Sequence, residues 1–479
     1  MLFVTKDVTQ MSEQNGQNGA NPQETPQGIT KITVGGYKSI AQEQSIEIRP
    51  LTILAGANSS GKSSIMQPLL LMKQTLEAPY DPGALKLNGP IIDFTSVDQL
   101  LSRRLSESSY WFVRLEMTKG VPIALYFEPG LNKGFTVKQI ALGPKSEIPL
   151  DATMTHHKIV AALEMDDNDI QANIVSAIIV SAINESALSI GSEQQIASIA
   201  KNFRTELSIS RNRCFLELAF KTLNVTTQEV LSGFNSSFNK AAPLSILQMI
   251  HLQGVRGSPT RTSPVTATGE IYPGSFEIYT ASVLLDWQME DKTMKLRQLQ
   301  TNLANLGLTN AVKAEMRNDA EVEIRVGRTL QSDASDLVSI ADVGIGVSQT
   351  LPVLVALLAA KPGQLVYLEQ PEIHLHPRAQ TAMAQVLADA AMRGVRVVAE
   401  THSSLLLLGV QTLVAEGKLP PELVKLHWFT RGDDGATTIR SADLDETGAF
   451  GDWPEDFDDV TLNAQSRYLD AAEQRLVAK

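Results

Sequence analysis

The chain has 479 residues, with 41 basic against 53 acidic side chains, a net charge of −12, and 43% hydrophobic composition. That is apolar material for two or three packed units, which excludes a disulfide-stapled miniprotein or a disordered tail, and the net charge argues against a surface that coats nucleic acid uniformly. Cys214 is the only cysteine, which excludes an intramolecular disulfide framework and favours a reducing, cytoplasmic setting.

Residues 1–28 are rich in Gln, Asn, Gly, Thr and Ser, lack an apolar h-region, and read as a flexible leader. Ile29–Val34, Ser45–Ile48 and Leu51–Ala55 follow as strands. Gly61–Glu77 then carries Ile65, Met66, Leu69, Leu70, Met72 and Leu76 at helical spacing, with a kink expected at Pro68. Between residues 146 and 250 the composition shifts toward Asp, Asn, Ser, Gln and Ala. This predicts an inserted, mainly helical lobe with helices at Glu193–Leu207 and Val225–Phe238.

His251–Gly274, with its many Gly, Pro, Thr and Ser residues, reads as a long loop in which Arg256 and Arg261 are solvated charges. Beyond residue 337 the signals alternate: a helix at Gly346–Ala360, a strand at Gln364–Leu368, a helix at Pro377–Met392 and a strand at Val395–Ala399. The fold class is therefore α/β. The longest weakly polar stretches, Ile174–Ile183 and Leu351–Ala360, reach only about half the ~20 residues of a bilayer-spanning helix. No membrane partner is expected.

Gly56-Ala57-Asn58-Ser59-Ser60-Gly61-Lys62-Ser63 fits the phosphate-loop pattern G-x-x-x-x-G-K-[ST], between a predicted strand and a predicted helix. Glycines let main-chain N–H groups close around phosphate oxygens, and the helix N-terminus adds partial positive charge. Gly56, Asn58, Ser59, Ser60, Gly61, Lys62, Ser63 and Ser64 are the candidate ATP contacts. Lys62 would neutralise the β- and γ-phosphates, and Ser63 would ligate Mg²⁺.

Leu365–Glu372 is an apolar run ending in acids, the form of a Walker B strand whose tip holds the Mg²⁺ environment and orients water. Glu369 is the second candidate metal ligand. His374 and His376, with Glu369, Glu372 and His402, leave a transition-metal site conceivable, although a structural turn is the simpler reading. Lys38, Arg256 and Arg261 together offer a local anion-binding edge for nucleic acid or an acidic partner.

Taken together, Gly56–Ser63, Glu369–Glu372, His374–Pro377 and Glu400-Thr401-His402-Ser403 resemble the ABC-type ATPase heads of the SMC, RecF and OLD class. Ile32–Ile40 looks like that class's first strand and turn, and Asp342–Gln349 occupies the place of its signature. Asp93 and Gln99 lie where a loop resembling the Q-loop of ABC-type ATPases would approach Mg²⁺ or water, while Gln67, nearer the phosphate loop, reads from its helical position as core packing or helix surface. The resemblance implies that Gly346 and Ser348 contact the γ-phosphate held by a second protomer, that His402 senses that phosphate, and that two ATP molecules are sandwiched in a homodimer or higher oligomer.

Gly448–Phe457 is similar to the Trp-Pro-Glu box of a bacterial group of AAA-family ATPases with a C-terminal domain of unknown function. The resembled class extends to anti-phage ATPases of the PtuA type. The organisation expected is two halves of an ATPase head at residues 29–145 and 251–440, the insert at 146–250, and a C-terminal cap at 441–479.

Where most such heads carry a catalytic glutamate, this chain has Gln370, which positions water but accepts no proton. Slow hydrolysis with Glu372 as base and an ATP-dependent scaffold or switch with little turnover both follow as readings, and DNA repair or chromosome maintenance is the alternative to a role in anti-phage defence. Too little sequence follows His402 for the nuclease domain that OLD proteins append. An effector, a nuclease or toxin, is therefore expected on a separate chain.

Overall fold

The computed structural model describes residues 27–103, 110–130, 134–143, 148–164, 203–227, 230–237, 240–257, 259–332, 335–451, 466, 467 and 469. Its centre is a sheet in the order β11 (Ile250–Leu252), β16 (Leu365–Glu369), β17 (Arg396–Thr401), β3 (Leu51–Gly56), β18 (Val424–Arg431) and β19 (Thr437–Ala442). Neighbours pair in parallel except β19, which runs antiparallel at one edge. Parallel strands buried on both faces read as continuous apolar runs, which is how β3, β16 and β17 appear in the sequence.

Alternation along these strands divides two cores. Leu51, Ile53, Ala55, Val366, Leu368, Val397 and Ala399 face one core, built with helices Ile345–Ala359, Pro377–Met392 and Ser404–Ala415. Leu54, Leu365, Tyr367, Val398 and Phe429 face the other, which contains the apolar residues of the helix Lys62–Leu76. That helix is continuous through Pro68 and buried nearly all round.

Its far side meets a second, antiparallel sheet: β2 (Gln44–Glu47), β1 (Ile29–Gly35), β4 (Trp111–Met117), β5 (Ile123–Pro129), β6 (Phe135–Leu142) and β7 (Ile148–Leu150). Trp111, fully buried, stacks on Phe127 at 4.6 Å and meets Tyr37 edge-on at 5.0 Å, filling the gap between sheet and helix. A smaller sheet, β12 (Ser263–Pro264), β14 (Glu321–Gly327) and β13 (Val312–Asn318), with β15 (Leu337–Ser339) on β14, shares the first core with the helix Thr280–Met289.

The insert differs from expectation. β8 (Phe203–Asn212), β9 (Phe215–Asn224) and β10 (Val230–Ser237) form an antiparallel sheet where helical runs were expected at Glu193–Leu207 and Val225–Phe238. In β8, Thr205, Leu207 and Ile209 are buried and the residues between them are not, a period of two that an amphipathic helix lacks. The short helix His156–Ala162 precedes this sheet and Ala241–Leu247 follows it. Most of the leader, Ile174–Ile183, the part of the expected helix at 193–202, and Trp453-Pro454-Glu455 with most of the C-terminal cap lie outside the described residues. Gly28 is already part of the fold, since its carbonyl accepts the Thr118 N–H at 2.9 Å. At the other end Leu444 and Phe450 are buried in the core that holds the helix Ser404–Ala415.

Candidate functional site

Three strand ends bring the predicted residues together, because β16, β17 and β3 are adjacent and parallel. The turn Gly56–Gly61 links β3 to the helix Lys62–Leu76. Gly61 has φ +100°, and a Cβ there would stand 2.3 Å from Thr437 Oγ1, so only glycine fits. Ser59 is also left-handed at φ +60°. Asn58 and Ser59 are exposed, Ser60 is buried, and Ser64 N–H bonds the Gly61 carbonyl at 3.0 Å.

Lys62 Nζ donates to the Gly56 and Ala57 carbonyls at 3.0 and 2.9 Å, so the ammonium is folded over the loop, and among the described residues no carboxylate is in salt-bridge contact with it. Burial holds its pKa below the ordinary lysine value, with the charge of Glu400 opposing. Ser63 Oγ donates to Glu400 Oε2 at 2.9 Å. Tyr367 donates its hydroxyl to Glu400 Oε1, and Ser63 lies against the same phenol. Burial pushes the Glu400 carboxyl up to about 7, against the hydrogen bond from Tyr367, and the charge of Glu369 adds to the rise.

Glu369 ends β16 with both oxygens engaged, Oε1 with His251 Nε2 at 3.0 Å and Oε2 with the Gly254 N–H at 3.2 Å. Burial works against its charge, but His251, that N–H and Arg256 outweigh it and hold the carboxyl below its ordinary range. The His251 ring stacks on Tyr367 at 5.3 Å and 16°. One buried pair of rings therefore supports both acids.

Gln370 turns the chain at φ +46° and donates its N–H to the Glu400 carbonyl at 2.9 Å. Glu372 is 5% exposed, and its Oε1 accepts from Thr401 Oγ1 at 2.6 Å and from the His402 N–H at 3.3 Å. Burial raises its pKa, the Thr401 hydroxyl opposing. His402 is held below its ordinary value by burial and by Lys62, with the Gly56 backbone acting the other way.

Gly346 and Ser348 stand on the first turn of the helix Ile345–Ala359, and Ser348 Oγ donates to the Ile345 carbonyl at 3.0 Å. That turn is tied to β16 by Arg256, whose guanidinium donates to the Gln349 carbonyl at 3.0 Å and to the Glu369 carbonyl at 3.2 Å.

Several expectations are corrected here. Arg256 is no solvated loop charge but 7% exposed, and His251 is 1% exposed on β11, so the start of the expected loop is built into the site. The anion-binding edge does not form as expected. Lys38 bonds Gln67 Oε1 at 2.7 Å and lies over the Phe94 ring, its pKa lowered to about 8 by burial, while Arg261 pairs with Asp342 at 2.7 Å. Gln99 spends its side-chain oxygen on the Thr95 and Ser96 N–H groups as a cap. His376 accepts the Arg378 N–H at 3.4 Å at the start of its helix, and His374 makes the preceding turn at φ +64°. Among the described residues no group of His, Cys, Asp and Glu has the arrangement of a metal site.

His251, Arg256, Tyr367 and Glu400 are the site residues that sequence reasoning did not assign. For Glu400 a signal existed, since it lies two residues beyond Val398 on the face of β17 that looks toward the phosphate-loop helix.

A phosphate loop on β3, an acid-tipped β16 and β17 between them define a P-loop ATPase head of mixed α/β fold. The sequence matches the AAA ATPase domain family over residues 28–407, and the chain belongs to that family. Its fold is similar to an SMC head bound to the C-winged helix domain of ScpA, at 13% identity over 87% of this chain and 98% of that chain, with a TM-score of 0.45. An SMC head with an extended coiled coil bound to the C-terminal domain of ScpA, from Pyrococcus furiosus, is similar at 12% identity over 87% and 96%, with a TM-score of 0.43. The SMC head from Thermotoga maritima is similar at 10% identity over 87% and 100%, with a TM-score of 0.38. No curated protein matches the sequence significantly. Among the described residues no helix is long and apolar enough to cross a membrane.

Proposed function

We propose that the protein binds ATP with Mg²⁺ at the Gly56–Ser64 loop, closes two heads around the nucleotide, and hydrolyses it slowly. The contact that carries this reading is Ser63 Oγ against Glu400 at 2.9 Å, which joins the phosphate loop to the acids of the adjacent strands. The residues present fit the ligand. Among the described residues Lys62 hydrogen-bonds to carbonyls that a phosphate would displace, and Glu369 and Glu400, whose charges disfavour each other, end adjacent strands with Glu400 against Ser63, where a divalent cation would relieve them. Bound Mg²⁺ would neutralise developing charge on the phosphates.

The protein's own part is positioning. Ser63 and Glu369 would hold the metal and its water shell, and Gln370 would orient the attacking water without taking its proton. Glu372, whose Oε1 holds both Thr401 and the His402 N–H, fits the placing of His402 against the γ-phosphate. Gly346 and Ser348 would meet the partner head's nucleotide. Gln370 also supports a second reading, an ATP-dependent switch with negligible turnover. By resemblance to PtuA-like ATPases, the closed dimer would control a separate effector, a nuclease or toxin, in anti-phage defence.

Calorimetry and phosphate release test the site. Lys62→Ala should abolish ATP binding, and Glu369→Gln should keep binding while suppressing hydrolysis. Tight binding by the Lys62 variant would overturn the reading.

A further inference from the structure

The carboxylate that touches the phosphate-loop serine does not come from the acid-tipped strand. Glu369, at the end of β16, has one oxygen on His251 and the other on the Gly254 N–H. Glu400, on β17, takes the Ser63 hydroxyl on one oxygen and the Tyr367 hydroxyl on the other, and is 5% exposed. We propose that Glu400 is the positioning residue of the metal site, accepting the Ser63 hydrogen so that the serine oxygen presents its lone pairs to the cation that accompanies ATP. The inference rests on the nucleotide-site reading above and assigns the orientation of its metal ligand.

A hydroxyl has one hydrogen and two lone pairs, and rotates to suit its partners. It ligates a cation only with a lone pair, so its hydrogen must be accepted elsewhere. A carboxyl group that accepts a hydrogen on each of its two oxygens has none to donate into the lone pair the metal needs. Glu400 meets that requirement, and its own orientation is fixed from behind by Tyr367, whose ring is in turn stacked on His251. Outer partners of this kind orient a ligand without touching the metal, and their loss typically lowers metal affinity about 10–100-fold.

Glu400→Gln keeps the shape but replaces one acceptor by an NH₂ donor. With the NH₂ toward Ser63, it donates into the serine oxygen. With the NH₂ toward Tyr367, it meets a donor with a donor and the side chain is no longer held.

The test is titration of full-length protein with a fluorescent N-methylanthraniloyl ATP, once in EDTA and once across a Mg²⁺ series, with Mn²⁺ binding to the nucleotide complex followed by electron paramagnetic resonance. Glu400→Gln should weaken metal binding about 10–100-fold while nucleotide affinity in EDTA stays within about twofold. Tyr367→Phe, which leaves the carboxylate in place, should weaken metal binding in the same direction by a smaller factor. In a Ser63→Ala background, Glu400→Gln should add nothing further. Equal weakening in EDTA and in Mg²⁺, unchanged Mn²⁺ affinity in Glu400→Gln or Tyr367→Phe, or additive effects with Ser63→Ala would each overturn the proposal. Failure of the unsubstituted protein to bind the nucleotide at all would instead sink the nucleotide-site reading on which it stands.

Discussion

Arg256 and Gln349 clasp each other's main chain: the Arg256 guanidinium donates to the Gln349 carbonyl at 3.0 Å, and Gln349 Nε2 donates back to the Arg256 carbonyl at 2.9 Å. The same guanidinium reaches the Glu369 carbonyl and lies 4.0 Å from Glu277. One side chain therefore fixes the start of the Ile345–Ala359 helix against the tip of β16. Removing it takes a charged donor from two carbonyls, a hydrogen bond of that kind contributing about 1.5–3 kcal/mol before the relief of no longer burying the guanidinium charge. Arg256→Met should lower unfolding free energy by about 2–4 kcal/mol in urea, and Arg256→Lys, with one nitrogen in place of a fork, should recover only part of it. A loss within error of zero would show that the clasp is not a structural tie.

A second arginine ties the insert to the phosphate-loop helix. Arg213, in the β8–β9 turn at φ +53°, donates to the Thr75 and Leu76 carbonyls at 2.6 and 2.7 Å. These carbonyls belong to the helix's last turn, where partners are missing and the dipole favours a cation. Arg213→Ala should cost about 1–2 kcal/mol and raise amide exchange in the last turn of Lys62–Leu76 above that in its first turn. Uniform exchange along the helix would count against a local cap.

Much of the central sheet could be read from the sequence, because alternation and burial act within a strand. Leu365–Glu369 and Arg396–Thr401 lie within a residue or two of their expected bounds. The Gly56–Ser63 loop was legible for the same reason, since its glycines answer to local backbone geometry. The contacts of Arg256 were not, because its partners lie 93 and 113 residues further along the chain, and no local pattern distinguishes a buried guanidinium from a solvated one. His251 and Tyr367 share that difficulty. In the insert the signal was present but outweighed: Thr205, Leu207 and Ile209 alternate, but the Ser, Gln and Ala content around them reads as helix or loop.

His427 supplies a pH dependence. It is fully buried on β18, with Nδ1 against Ser441 Oγ at 2.8 Å and Nε2 against the Glu47 carbonyl at 2.9 Å, a set of partners that suits the neutral ring. Burial pushes its pKa down to about 4, with Lys425 and Arg49 adding to the fall and Glu47 opposing it. As pH falls below about 6.5 the unfolded chain takes up a proton that the folded chain refuses until about 4. The contribution is therefore intact above about 6.5 and is lost progressively down to about 4, by about 2–3 kcal/mol at pH ~4.5. Measured against His427→Gln, which has no ring to charge, the native protein should lose that much relative stability between pH ~7.5 and ~4.5. A constant difference between the two proteins would contradict the depressed pKa.

Gln370 and Glu372 divide the work of the strand tip in a way that turnover can separate. Glu372 Oε1 accepts both Thr401 Oγ1 and the His402 N–H, contacts a glutamine oxygen can reproduce. If that is its role, Glu372→Gln should keep hydrolysis within about threefold. Glu372→Ala, which leaves both donors stranded, should lower it by roughly 10–100-fold. Gln370→Glu places a proton acceptor at the turn that ends the acid-tipped strand, and general-base catalysis contributes typically about 10²–10⁴-fold. That variant should raise single-turnover phosphate release by at least about tenfold, and its rate should fall as pH drops through the carboxylate's pKa. Abolished turnover in Glu372→Gln, with Gln370→Glu no faster than the native chain, would make Glu372 the base instead.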